Sequence, residues 1–107
     1  MCCGEINSPE PGDEKADKRG VLSPIGPNGE TIPDDPNDSK KSDGDWRTTN
    51  LNGQCVIQIY CSGQWMWAYY VNTQVLQLLC GCPKTNPPQR YNFVCNGRFF
   101  LIPCQQT

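Results

Sequence analysis

The chain has 107 residues, 36% of them apolar, and a formal net charge of −2, which makes it one small domain with little surface to bury. Eight cysteines without a single histidine, and with no C-x-x-C pair, argue against the common zinc sets and for a disulfide framework formed in an oxidising compartment. No apolar run is long enough to span a membrane as a helix, and the sparse basic residues of the second half form no stripe suited to nucleic acid.

Charge is divided unevenly. All eleven Asp and Glu residues lie between Glu5 and Asp45. With the five basic residues of that stretch they give −6, whereas the segment from Trp46 onward carries only Arg47, Lys84, Arg90 and Arg98, or +4. Two parts are expected: an acidic arm over residues 1–45 and a cysteine-rich β domain over residues 46–107.

The arm holds Pro9, Pro11, Pro24, Pro27, Pro33 and Pro36 with six glycines, and few apolar residues beyond Ile6, Val21, Leu22, Ile25 and Ile32. Such a segment cannot bury enough surface to offset its ordering entropy, so it is predicted to be irregular, without a helix or long strand. Cys2 and Cys3 can pin its start to the domain, and Val21, Leu22 and Ile25 can pack locally. The same two cysteines leave an alternative to free secretion, a lipid-anchored N-terminal cysteine at a bacterial surface. Asn37-Asp38-Ser39 is the one glycosylation sequon.

Trp46 opens the domain, and Asn52-Gly53 is a turn into three apolar runs, QCVIQIYC, QWMWAYYV and VLQLLCGC. These read as an antiparallel meander. A two-residue turn at Ser62-Gly63 sets Cys61 opposite Gln64, Ile59 opposite Met66 and Ile57 opposite Ala68. A turn at Asn72-Thr73-Gln74 sets Val71 opposite Val75 and Trp67 opposite Leu79. Alternation then sorts the side chains onto two faces. One carries Cys55, Ile57, Ile59, Cys61, Met66, Ala68, Tyr70, Leu76, Leu78, Cys80 and Cys82. The other is aromatic and amide-bearing, with Val56, Gln58, Tyr60, Trp65, Trp67, Tyr69, Val71, Val75, Gln77 and Leu79.

After the proline-rich PKTNPPQ, the runs RYNFVC and RFFLIPC flank Asn96-Gly97, the strongest hairpin signal in the chain. Its register pairs Cys95 with Arg98, Phe93 with Phe100 and Tyr91 with Ile102, and brings Cys104 to the same face. The predicted fold is all-β: a three-stranded antiparallel meander packed on a C-terminal β-hairpin, stapled by disulfides and preceded by the irregular arm. Cys95 and Cys104 are each expected to bond one of Cys55, Cys61, Cys80 and Cys82, leaving two partners for Cys2 and Cys3. A core this small needs such bridges.

Catalytic chemistry has little to work with. The domain has no histidine and no carboxylate side chain after Asp45, so it lacks an ordinary general base. Cys80-Gly81-Cys82 reads as structural. Asp34-Asp35-Pro36-Asn37-Asp38 lacks the glycine and distal glutamate of a calcium loop. No enzyme activity, cofactor or metal is expected.

The aromatic face carries the functional suggestion. Trp65, Trp67 and Tyr69 occupy alternate positions of one strand, beside Tyr60, Gln58 and Gln77. Aromatic faces stack on sugar rings and amides hydrogen-bond hydroxyls, so an exposed patch of this kind would be a glycan site. The competing expectation is that the rings form a second small core, covered by the arm or by a neighbouring subunit.

The spacing of Cys55, Cys61, Cys82-Pro83, Cys95 and Cys104 is similar to that of peritrophin-type chitin-binding domains, which also carry an aromatic-rich hairpin. The resemblance spans about fifty residues and implies a glycan ligand. The chain departs from the pattern in lacking a nearby first cysteine, in having Cys80 as an addition, and in the longer gap from Cys61 to Cys82. The sequence-based expectation is a secreted, non-enzymatic module that binds an extracellular glycan. The alternatives are an effector, toxin or inhibitor that binds a host protein, and a structural subunit self-associating through the aromatic face.

Overall fold

A computed structural model describes the backbone of residues 4–6, 10–11, 18–79 and 89–106, and the side chains of residues 19–79 and 90–102. The strands are β1 (Gly4–Ile6), β2 (Glu10–Pro11), β3 (Lys18–Ser23), β4 (Trp46–Leu51), β5 (Gln54–Cys61), β6 (Gln64–Asn72), β7 (Val75–Leu78), β8 (Gln89–Cys95) and β9 (Arg98–Gln106). A single 3-10 turn at Asp38–Lys40 is the only helical element among the described residues. The all-β class is the one expected from composition and alternation.

Turn chemistry explains the hairpins. Asn52-Gly53, Ser62-Gly63 and Asn96-Gly97 all have positive φ at both positions, as a two-residue turn matched to strand twist requires. Cys61 pairs with Gln64 and Ile59 with Met66; Cys95 pairs with Arg98, Phe93 with Phe100 and Tyr91 with Ile102. These are the predicted registers. They bring Ile57, Ile59, Ala68, Tyr91, Phe93 and Ile102 into one buried core. The Cys61–Cys95 disulfide, with Cα atoms 5.9 Å apart, joins meander to hairpin as expected for Cys95. Cys55 is also disulfide-bonded. The pairings of Cys2, Cys3, Cys80, Cys82 and Cys104 lie outside the described side chains.

Asp43 reinforces the disulfide from the surface. Its carboxylate accepts from the Ser62 backbone N–H at 3.1 Å and from Asn96 Nδ2 at 2.8 Å, while Ser62 Oγ donates to Asn96 Oδ1 at 2.9 Å. One acidic side chain thus ties the tips of two hairpins. Asp43 Oδ and the Cys61 and Cys95 sulfurs lie within 4.8 Å of one another, but the sulfurs are bonded to each other and offer no thiolate to a metal.

Three features depart from the sequence reading. First, the acidic segment supplies β3, which pairs antiparallel with β6 from Gly20↔Tyr70 to Ser23↔Trp67 and parallel with β8 at Lys18↔Tyr91 and Arg19↔Asn92. Meander and hairpin are therefore one curled sheet, in the order β1-β9-β8-β3-β6-β5-β4, with β2 on β9 and β7 on β6. Gly20 makes this possible, since a Cβ there would lie 2.2 Å from the Phe93 ring. Residues 24–45 carry no strand.

Second, the β6–β7 turn has two central residues. Asn72 pairs with Val75 and Tyr69 with Leu78, one position away from the predicted pairing, and such a slip exchanges every side chain between faces. Leu78 packs on the aromatic face, whereas Leu79 is fully buried in the main core. Third, Ile57 does not pair with Ala68. The Leu79 backbone stands between them, donating to the Ala68 carbonyl at 2.8 Å and accepting from the Ile57 N–H at 3.2 Å. β6 thereby exchanges β5 for β7 as its neighbour halfway along.

Candidate functional site

Alternation along β5 and β6 aims Gln58, Tyr60, Trp65, Trp67 and Tyr69 to one face, as the sequence predicts. That face is not an open platform. Trp65 is 4% exposed, Trp67 5%, Tyr60 6%, Tyr69 9% and Gln58 3%. Gln77 is exposed and belongs to the opposite face, because the slipped turn sets it against Tyr70, whose hydroxyl donates to Gln77 Oε1.

The cover is the acidic segment. Ile32 packs on a second cluster of Val56, Trp67 and Tyr69, together with Leu51 and Leu78. Trp65 Nε1 donates to Asp38 Oδ1 at 2.9 Å, and the Tyr69 hydroxyl donates to the Ile25 carbonyl at 2.9 Å. Gly44 N–H donates to the Tyr60 carbonyl at 3.0 Å, and Tyr60 N–H to the Asp45 carbonyl at 2.7 Å. An apolar plug and matched acceptors thus let the Trp65 indole and the Tyr69 phenol be buried without losing their hydrogen bonds.

The roof is shaped by its own carboxylates. Asp35 Oδ1 accepts from the Asn37 N–H at 2.9 Å, Asp38 Oδ2 from the Asp35 N–H at 3.1 Å, and Asp45 Oδ2 from the Ser42 N–H at 2.8 Å. Glu30 Oε1 accepts from the Asn28 N–H at 2.7 Å, and hydrogen bonding from the Glu30 backbone N–H, then from that of Asn28, holds the Glu30 carboxyl below its usual value. The sequence places these residues in an irregular arm and assigns their carboxylates no structural role. The available signal was the density of Asp, Asn, Ser and Pro, which build side chain-to-backbone turns.

Two hollows remain at the edges of the roof. One, of about 580 Å³, is lined by Asp35, Asp38, Trp46, Arg47 and Trp65 among others. The other, of about 360 Å³, is lined by Asp34, Asn50, Gln58, Trp67 and again Arg47. The Arg47 guanidinium lies 4.1 Å over the Trp65 ring, and its Nε donates to Gln58 Oε1 at 2.8 Å. Trp67 Nε1 is buried without a hydrogen-bond partner. Burial, then the Asp38, Asp43 and Asp34 carboxylates, push the Tyr60 hydroxyl above its ordinary value; burial and then Glu30 do the same to Tyr69.

No protein-family model, curated protein or solved structure matches the chain. The site is therefore described by its own chemistry alone. It offers hydrogen-bond donors and acceptors, carboxylates among them, beside aromatic edges.

Proposed function

We propose that the protein is a secreted, non-enzymatic binding module that takes an extracellular glycan into the polar hollows beside the roofed aromatic face. The observation that carries this reading is the Trp67 indole N–H, buried without an acceptor in a side chain that borders the smaller hollow with Gln58, Arg47, Asn50 and Asp34. An unmet buried donor costs about 1–3 kcal/mol, and a sugar hydroxyl or ring oxygen is an acceptor that could meet it. The remaining lining supplies the mixed donors and acceptors that a polyol needs. Secretion is supported by the oxidised Cys55, Cys61 and Cys95, since such bonds persist in oxidising compartments.

A glycan array on the oxidised protein tests the proposal, with Trp67→Phe and Arg47→Met as paired variants. Trp67→Phe removes the donor and keeps most of the ring. Saturable binding that falls at least tenfold in both variants, with the fold retained by circular dichroism, supports the reading. An array without hits, or hits unchanged in both variants, overturns it.

A further inference from the structure

β3 and β8 run side by side for only two pairs, Lys18↔Tyr91 and Arg19↔Asn92. From Gly20 onward β3 follows β6, while β8 continues along β9 to Cys95. The strands part where the Phe93 ring lies against the bare backbone of Gly20. Between them opens a cleft of about 630 Å³, walled by Val21 and Leu22 on one side and by Val94 and Phe99 on the other, with Met66 also lining it and Arg19 contributing the charge.

Two properties of this cleft point to one kind of occupant. Its walls are strand edges: among the described residues, Val21–Ser23 and Phe93–Cys95 have ladder partners on one side only. Open edges present main-chain donors and acceptors that another extended chain can pair with. Among the described residues the lining is apolar apart from Arg19 and Asn92 and contains no carboxylate. An exposed guanidinium in such a lining is complementary to an anionic group and favours a carboxylate it can grip in a bidentate way.

We infer that this cleft is a docking groove for an extended peptide segment of another protein, rich in Val, Leu or Thr and ending in or flanked by a carboxylate that reaches Arg19. The segment adds a strand against the free edge of β8, and its alternate side chains enter between Val21, Met66 and Phe99. This site is separate from the hollows around Arg47, so its fate is independent of the glycan reading.

The probes are fluorescein-labelled hexapeptides of alternating Val and Thr ending in Asp, an otherwise identical amidated peptide ending in Asn, and an Asp peptide N-methylated at alternate backbone nitrogens. Fluorescence anisotropy on the oxidised protein should give saturable binding of the Asp peptide. That binding should weaken at least tenfold for the Asn peptide, for the N-methylated peptide, and for the Arg19→Glu and Val94→Asp variants. Both variants change exposed positions, and unchanged melting temperatures confirm that their folds persist. Absence of saturable binding up to millimolar peptide overturns the inference. So does equal binding of the N-methylated peptide, which would assign the cleft to an apolar acid and not to a strand. A concentration-dependent rise in molecular mass that Val94→Asp abolishes, seen without peptide, would give the groove to a second copy of the chain and also overturn it.

Discussion

The aromatic face of β5 and β6 and the cleft beside β8 begin from similar material, apolar side chains on strands, and end differently. The first is roofed by residues 24–45, which bring Ile32 as a plug and Asp38 and the Ile25 carbonyl as acceptors. The second stays open, and Val94 on its wall is 47% exposed. The difference teaches that burying Trp65 and Tyr69 takes a cover with polar partners at the right places. The acidic segment supplies them to one side of β6, and among the described residues nothing supplies them to the free edge of β8.

The comparison breaks most sharply at Trp67. Under its roof, Trp67→Ala should cost about 3–5 kcal/mol of stability, measured by denaturant unfolding. A loss within about half a kcal/mol, typical of surface sites, would mean that the face is open in solution. Next in size is the Cys61–Cys95 bridge, which joins residues 34 apart. The Cys61→Ala/Cys95→Ala double variant should lose about 2–4 kcal/mol, and an unchanged unfolding midpoint would remove the bridge from the account of how the two hairpins are held.

Asp38→Ala tests the roof itself. Losing a charged acceptor for the Trp65 indole should cost about 1.5 kcal/mol and speed exchange of the indole proton in NMR, whereas unaltered exchange would mean that the roof is held elsewhere. The alkaline limb gives a further check. The hydroxyls of Tyr60 and Tyr69 are raised above their ordinary value of about 10. The folded state therefore holds these protons more tightly than the unfolded chain. That stabilisation is complete below about pH 10 and is lost as pH rises through the folded values. Melts from pH 8 to 11 should decline at the alkaline end, and less so in Tyr69→Phe; identical limbs would contradict the burial of that hydroxyl. The smallest effect belongs to the open region: Val94→Asp should change stability by no more than about 0.5 kcal/mol, and a larger loss would show that the cleft is part of the core.

Two hairpin turns illustrate what could be read in advance. Asn96-Gly97 offers two positions that adopt positive φ easily, and the β8–β9 register is the predicted one. In the stretch Asn72-Thr73-Gln74 there is no glycine to pin the turn. Thr73 takes φ of 60°, the loop is one residue shorter than predicted, and Gln77 leaves the candidate site while Leu78 joins the second cluster. A single unpinned turn was enough to reassign a whole strand.

By itself the sequence determined the all-β class, the faces of β5 and β6, the registers at Ser62-Gly63 and Asn96-Gly97, and the group from which Cys95 draws its partner. Each of these follows from the period-two alternation of strands and the φ preferences of turn residues, which act over a few positions. Only the tertiary structure decided that the acidic segment supplies β3, that Leu79 separates Ile57 from Ala68, and that the aromatic face is covered. These depend on contacts such as Tyr69 with Ile25, 44 residues apart, and Trp65 with Asp38, 27 apart. Such partners are chosen by the packing of the whole sheet, and no local pattern encodes them.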